Sequence, residues 1–177
     1  MNHSKQTGKQ RVLIYPARTP EISGKQIYFL FTLGQIEDII RELKIYSLPF
    51  TPSYIIGLAQ WREQVVPVLS LEECLGLPQG MTSDKHNKSD KNKFETMRLI
   101  LIHSGEKNIR GILSTHSSIR LIPRPDSCPC AESFSWVSQK NLVRGVYEWD
   151  EGFLVVVNIN NILNGELNIK GGKLWNA

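Results

Sequence analysis

Few of the 177 residues could carry covalent or metal chemistry: three cysteines, four histidines and a scatter of carboxylates. Cys128-Pro129-Cys130 is the tightest pair. A C-x-C spacing offers two thiols for a metal or a redox couple, but a finger-type site needs a second ligand pair at matching spacing, and none follows. His103 and His116 stand in the part of the chain that reads as folded, and either, set beside a cysteine, would make a nucleophile–base pair. His103 ends an apolar run and His116 lies between two, which suits surface histidines better. Gly171-Gly172 lacks the strand–GxGxxG–helix setting of a phosphate loop. The expectation is a protein with no catalytic residues, no metal and no cofactor, hence no enzyme. An enzyme built on Cys128, Cys130 and His103 or His116 ranks last.

Recognition is the other chemistry on offer. Trp61-Arg62 is a dipeptide of the two residue types that dominate binding hot spots. An arginine fork meets a carboxylate in a planar, bidentate way that lysine does not. The plainer readings are aromatic packing at a hairpin end for Trp61, and a solvated turn residue or internal ion pair for Arg62.

Composition bounds the class. The chain is 41% hydrophobic, about 46% once its 13 Gly are counted and its 5 Tyr left out, which is in the globular range, and it is long enough for one good core. No run of about 18 apolar residues is present, so no spanning helix is expected. The first residues, MNHSKQTGKQR, have no apolar centre, which argues against a secretory signal. An odd, low cysteine count argues against a disulfide scaffold and for a reduced, cytoplasmic protein. The net charge of +4 is unevenly spread. Residues 1–26 hold Lys5, Lys9, Arg11, Arg18 and Lys25 against Glu21 alone, and 80–93 (GMTSDKHNKSDKNK) has four lysines against two aspartates. The rest is slightly acidic. A phosphate-tracking groove needs its cations on a folded face, so nucleic acid is not the expected partner. A small ligand- or nucleic-acid-binding β-barrel using the basic tail is the alternative.

These residues need elements to position them. Residues 1–26 read as a basic flexible tail, although RVLIYP could pair transiently as a strand. YFLFTLG (28–34) reads as a strand. Ile36, Ile39, Ile40 and Leu43 fall at i, i+3, i+4, i+7 and predict a helix, with Glu37 and Asp38 in its first turn and Lys44 in its last. YIIGLAQW (54–61) and QVVPVLS (64–70) predict a hairpin turning at Arg62-Glu63. Ser70 opens a capping box before LEECL, and Gly76 can stop that helix. Residues 80–93 are a polar loop, expected to be dispensable for folding. MRLILIH (97–103), IRGILST (109–115) and SSIRLIP (117–123) predict strands; LVRGVYEW (142–149) and FLVVVNI (153–159) predict a second hairpin, with Asn158 capping a helix and 166–177 as a C-terminal tail. Many short strands and few helices point to small β-barrels.

The two hairpin–helix segments align without a gap at an offset of 88. YIIGLAQWREQVVPVLSLEECLGL (54–77) lies over LVRGVYEWDEGFLVVVNINNILNG (142–165), with five identities: Gly57/Gly145, Trp61/Trp149, Glu63/Glu151, Val68/Val156 and Leu75/Leu163. Ser70 and Asn158 match as caps. Any two β-hairpin–helix units share apolar periodicity, but the paired Gly, Trp and caps in one register favour a duplication, read as two related sub-barrels with a groove between them. The position of Arg62 is taken by Asp150, so equivalent turns carry opposite charge, which suits a head-to-tail contact between barrels of one kind. Gly57 and Gly145 read as points of close backbone approach.

These segments resemble the CheW family, adaptors that couple chemoreceptors to the histidine kinase CheA. The resemblance covers residues 27–165 and rests on Gly57, Gln60-Trp61-Arg62-Glu63, Val65-Val66-Pro67-Val68 and Leu75-Gly76-Leu77. Trp61 before Arg62 resembles variants serving twitching motility or phototaxis. Gln60 and Glu63 depart from the family's Asn and Gly. The family's second strand looks deleted, because the chain passes from Gly34 almost directly to Ile36. The resemblance implies a mainly β fold of two SH3-like five-stranded barrels with short helices. It implies a non-catalytic cytoplasmic adaptor that binds the kinase's regulatory domain and the receptor's cytoplasmic helical tip; the opposite turn charges add self-association in arrays, and neither nucleic acid nor insertion in the membrane is expected. Arg62 carries over as a partner contact; Trp61, Glu63, Gly57, Trp149 and Asp150 complete the expected contact set.

Overall fold

The computed structural model describes residues 10–78, 98–105, 108–115 and 118–166. The expected loop at 80–93, His116, the Gly171-Gly172 pair and nearly all of the C-terminal tail lie outside these residues. The described chain runs β1 (Arg11–Pro16), β2 (Gln26–Thr32), β3 (Ile36–Ile40), β4 (Ile45–Tyr46), β5 (Ile55–Trp61), β6 (Gln64–Leu69), α1 (Leu71–Leu75), β7 (Arg98–His103), β8 (Arg110–Thr115), β9 (Arg120–Pro123), β10 (Val143–Trp149), β11 (Gly152–Val157) and α2 (Ile159–Leu163). The fold is mainly β, as expected, in two sheets.

The repeat is visible in three dimensions. Adding 88 to the bounds of β5, β6 and α1 gives those of β10, β11 and α2. The register breaks at the same place in both hairpins, between Ile55 and Gly57 and between Val143 and Gly145. Ser70 and Asn158 accept from the backbone N–H three residues on, and both donate their own N–H to the residue sixteen back, Tyr54 or Leu142.

The two units are interlocked, so neither barrel is a single repeat. One sheet has the order β10-β11-β2-β1-β9, the other β5-β6-β8-β7-β3 with β4 added outside β5. The first hairpin of each half thus completes the sheet of the other, joined by parallel pairs β11–β2 and β6–β8. Strand alternation then feeds three cores. In β1, Leu13 and Tyr15 face a large central core while Val12 and Ile14 face the interior of the five-stranded sheet; in β7, Ile100 and Ile102 face the centre while Leu99 and Leu101 face the interior of the six-stranded one. Helices α1 and α2 lie in the central core through Leu71, Cys74, Leu75, Ile159 and Ile162.

Two expectations are corrected. Residues 1–26 are not one flexible tail. Val12, Leu13, Ile14 and Tyr15 are all buried in β1, which pairs β2 on one side and β9 on the other. Four consecutive apolar residues are what a strand covered on both faces requires, and flanking charge says nothing against it. Residues 36–44 are not a helix. After a 3-10 turn at Leu33–Gln35 the chain enters β3, antiparallel to β7. The register shifts between Ile36 and Asp38. That bulge puts Ile36 against the central core and Ile40 against the barrel interior, where an unbroken strand would put both on one face. A bulged strand between two cores imitates the helical period. The strand that looked deleted is this one.

Candidate functional site

Each hairpin ends in a tryptophan beside an arginine–glutamate pair. At the first, Trp61 closes β5 and is only 9% exposed, its indole packed with Val66, Val68 and Leu101 inside the barrel. The Arg62 guanidinium lies 4.2 Å from the ring centroid and that of Arg110 lies 5.7 Å away. Arg110 is held by Glu37 (Nε–Oε2 2.7 Å, Nη2–Oε1 3.3 Å) and by the Gln64 side chain. Arg62 is exposed, with φ of 54° at the first turn residue, and makes no ion pair among the described residues. Glu63 beside it is exposed as well.

At the second end Trp149 is half-buried and edge-on to Tyr28, centroids 5.4 Å apart. Arg120 sits 5.8 Å from Trp149 and 5.4 Å from Tyr28, and bonds Glu151 (Nη2–Oε2 2.7 Å). Asp150 is exposed. The ends share an aromatic–cation–carboxylate cluster and differ in the free charge at the tip, Arg62 on one and Asp150 on the other. Gly57 is elsewhere: it is buried, and a Cβ there would overlap the Tyr46 carbonyl, so it admits β4 against β5 rather than facing a partner.

Where the two units meet, the seam is largely filled by the central core. A groove of about 360 Å³ stays open there, lined by Ile55, Val65, Pro67 and Leu69 of the first hairpin, Arg110 of β8 and Leu163 of α2, among others. Val65, 69% exposed, stands at its wall.

The thiols do not assemble a reactive centre with His103. Cys130 makes an isolated antiparallel bridge to Tyr147, the place Ile45 of β4 takes against Ala59 in the first unit. Cys128 packs partly against the small core, while Cys130 is exposed. His103 lies on β7 in the other sheet. Burial, with the Glu72 and Glu73 carboxylates nearby, pushes the Cys74 thiol up to about 12.

Sequence reasoning found Arg62, Trp61, Trp149 and Asp150 at hairpin ends but missed Glu37, Arg110 and Arg120, which meet the tryptophans only through tertiary folding.

The structure is an interlocked pair of small β units with a seam groove and charged hairpin tips. Comparison with known proteins places it. The CheW-like domain family matches residues 21–167, and the chain belongs to that family. A chemotaxis protein CheW of Helicobacter pylori is 25% identical over 142 residues, 80% of this chain and 78% of that one. The scaffolding protein TtCheW from Thermoanaerobacter tengcongensis has the same fold, with a TM-score of 0.64 over 98% of this chain and 97% of that one at 14% identity. Family membership supports a scaffold or adaptor of chemotaxis.

Proposed function

We propose that this protein is a non-catalytic adaptor that couples methyl-accepting chemoreceptors to a CheA-type histidine kinase, serving chemotaxis, twitching motility or phototaxis from the cytoplasmic face. The observation that carries the reading is Arg62: exposed at the first hairpin tip, stacked on a rigid Trp61, with its neighbour Arg110 already neutralised by Glu37. Stacking pre-orders the guanidinium, which lowers the entropy lost on meeting a carboxylate. In this reading the kinase's regulatory domain meets a hairpin tip, with Glu63 beside Arg62. Trp149 and Asp150 present the complementary charge at the other end, where a further barrel of the same kind docks head to tail and extends an array. The seam groove takes the receptor's helical tip. No helix among the described residues is long and apolar enough to cross a membrane.

The test pairs binding with stability. Arg62→Ala should weaken kinase binding by about thirtyfold, on the order of 2 kcal/mol. Arg62→Glu should do worse, through added repulsion. Both should melt within about 0.5 kcal/mol of wild type. Normal binding by both variants would remove Arg62 from the interface.

A further inference from the structure

The two hairpin ends are wired differently from similar parts. In the order of its sheet, β8 holds the place that β2 holds in the other, and β3 holds the place of β9. The parallel register of Val68 against Ile112, carried two residues back, sets Arg110 beside Val66. Tyr28 lies beside Leu154, the repeat counterpart of Val66. Each end therefore draws one residue from an inner strand, Arg110 or Tyr28, and one from an edge strand, Glu37 or Arg120. The edge residue is an acid at the first end and a base at the second.

The turns show the consequence. Arg120, 5.8 Å from the Trp149 ring centroid, bonds the turn carboxylate Glu151 at 2.7 Å. Arg110 lies at nearly the same distance, 5.7 Å, from the ring centroid of Trp61, and its turn offers Glu63, the repeat counterpart of Glu151. Yet Arg110 bonds Glu37 instead, through Nε and Nη2, with Nη1 on the Gln64 side chain. A guanidinium held at both edges has little left to offer a third group. The Arg110 and Glu37 side chains are 20% and 25% exposed, against 40% and 46% for Arg120 and Glu151, so the first pair is less screened by solvent. Glu37, occupied by Arg110, leaves Arg62 unpaired; Arg110, occupied by Glu37, leaves Glu63 unpaired. Both turn charges are exposed and make no ion pair among the described residues.

We propose that Glu37 is a positioning residue that sets the specificity of the first hairpin tip: by holding Arg110 it keeps Glu63 from being captured as Glu151 is, so that Arg62 and Glu63 are presented together to a partner face that sets a carboxylate beside a cation. Glu37 acts on Glu63 through Arg110. The second end, with Glu151 bound internally, offers Asp150 without a matching cation in its turn. The binding consequence rests on the adaptor reading; the internal wiring does not.

Two measurements on the full chain test it. The first needs no partner: NMR proximity between the Arg110 guanidinium and the Glu63 side chain should be absent in wild type and appear in Glu37→Gln, which keeps the volume and removes the charge. An Arg110 that stays away from Glu63 in that variant overturns the proposal. The second is kinase binding in a double-mutant cycle. Glu37→Gln and Glu63→Gln should each weaken binding by about five- to tenfold, and together no more than Glu63→Gln alone. Adding Arg110→Met to Glu37→Gln should restore most of the affinity, because nothing is left to capture Glu63. A purely structural ion pair would give additive losses and no such rescue, and either result overturns the proposal, as does Glu63→Gln that binds like wild type. Thermal unfolding checks each variant, with Glu37→Thr, suited to a strand, replacing Glu37→Gln if the latter is unstable. Wild type that fails to bind the kinase would remove the adaptor reading and leave the contact in the free chain to decide this one.

Discussion

The two hairpin units descend from one pattern, and their ends solve the same turn differently. In the first, Trp61 and Gln64 close the ladder and the left-handed conformation falls on Arg62. In the second, Trp149 pairs with Gly152, and the positive φ, 153°, falls on that glycine. The glycine also faces a close neighbour: a Cβ at Gly152 would overlap the Gln26 carbonyl. One tip is thus free to carry a cation, while the other is tied to the parallel joint between β11 and β2. Equivalent positions of the repeat thus carry an exposed cation at one turn and a constrained backbone joint at the other.

The largest test of this contrast is Gly152→Ala against Gln64→Ala, equivalent positions. The first should cost more than about 3 kcal/mol in denaturant unfolding, because positive φ and backbone overlap combine. The second should stay within about 0.5 kcal/mol, as an exposed site does. Equal losses would mean that the β11–β2 joint is not the constrained one.

The glycine pair further back along the strands sharpens it. At Gly57 the added methyl meets the backbone of Tyr46; at Gly145 it meets the Tyr147 ring at 2.8 Å. A side chain can swing where backbone cannot. Gly57→Ala should cost about 2–3 kcal/mol and Gly145→Ala about 1 kcal/mol or less, read as shifts in melting midpoint. The reverse order would show β4 to be more yielding than its pairing suggests.

Helices α1 and α2 differ at equivalent positions, Cys74 against Ile162. With its pKa raised to about 12 when folded, the Cys74 thiol stays protonated while the unfolded chain ionises near pH 9. The unfolded state then binds fewer protons, so stability present below about pH 9 is lost as the pH climbs toward 12. Tyr15, raised well above its ordinary value mainly by burial, adds to the same decline. Cys74→Val should flatten the stability–pH curve in that window without abolishing its slope. A native-state alkylation series should label exposed Cys130 long before Cys74. Early labelling of Cys74 would show the central core opening locally.

The smallest effect is one of sign. Arg62→Gly relieves a positive φ while losing a stacking contact, and should stabilise by about 0.5 kcal/mol or be neutral. Asp150→Gly adds chain entropy with no such relief and should destabilise by about 0.5 kcal/mol. Chemical unfolding of both variants side by side decides it; the same sign for both would remove the distinction between the turns.

The hairpins, the caps at Ser70 and Asn158, the turn at Arg62-Glu63 and the offset of 88 were all legible in the residues. Each rests on short-range physics: alternation, a capping oxygen, a two-residue gap between apolar runs. The edges of the reading failed where two distant segments decide. Residues 11–16 look like a basic tail until β2 and β9 are laid on either side, since a buried strand is marked only by an apolar run and that mark is ambiguous beside prolines and charges. Residues 36–40 read as helical because a bulge between two cores shifts alternate residues onto a period of three to four, and no local signal distinguishes the two. Glu37, Arg110 and Trp61 are far apart in the chain and meet only where β3, β8 and β5 end together, as do Arg120, Tyr28 and Trp149. The sequence by itself determined which units exist and what sits at their tips. Tertiary structure alone decided that each unit completes the other's sheet, because strand pairing depends on partners that the local chain does not contain.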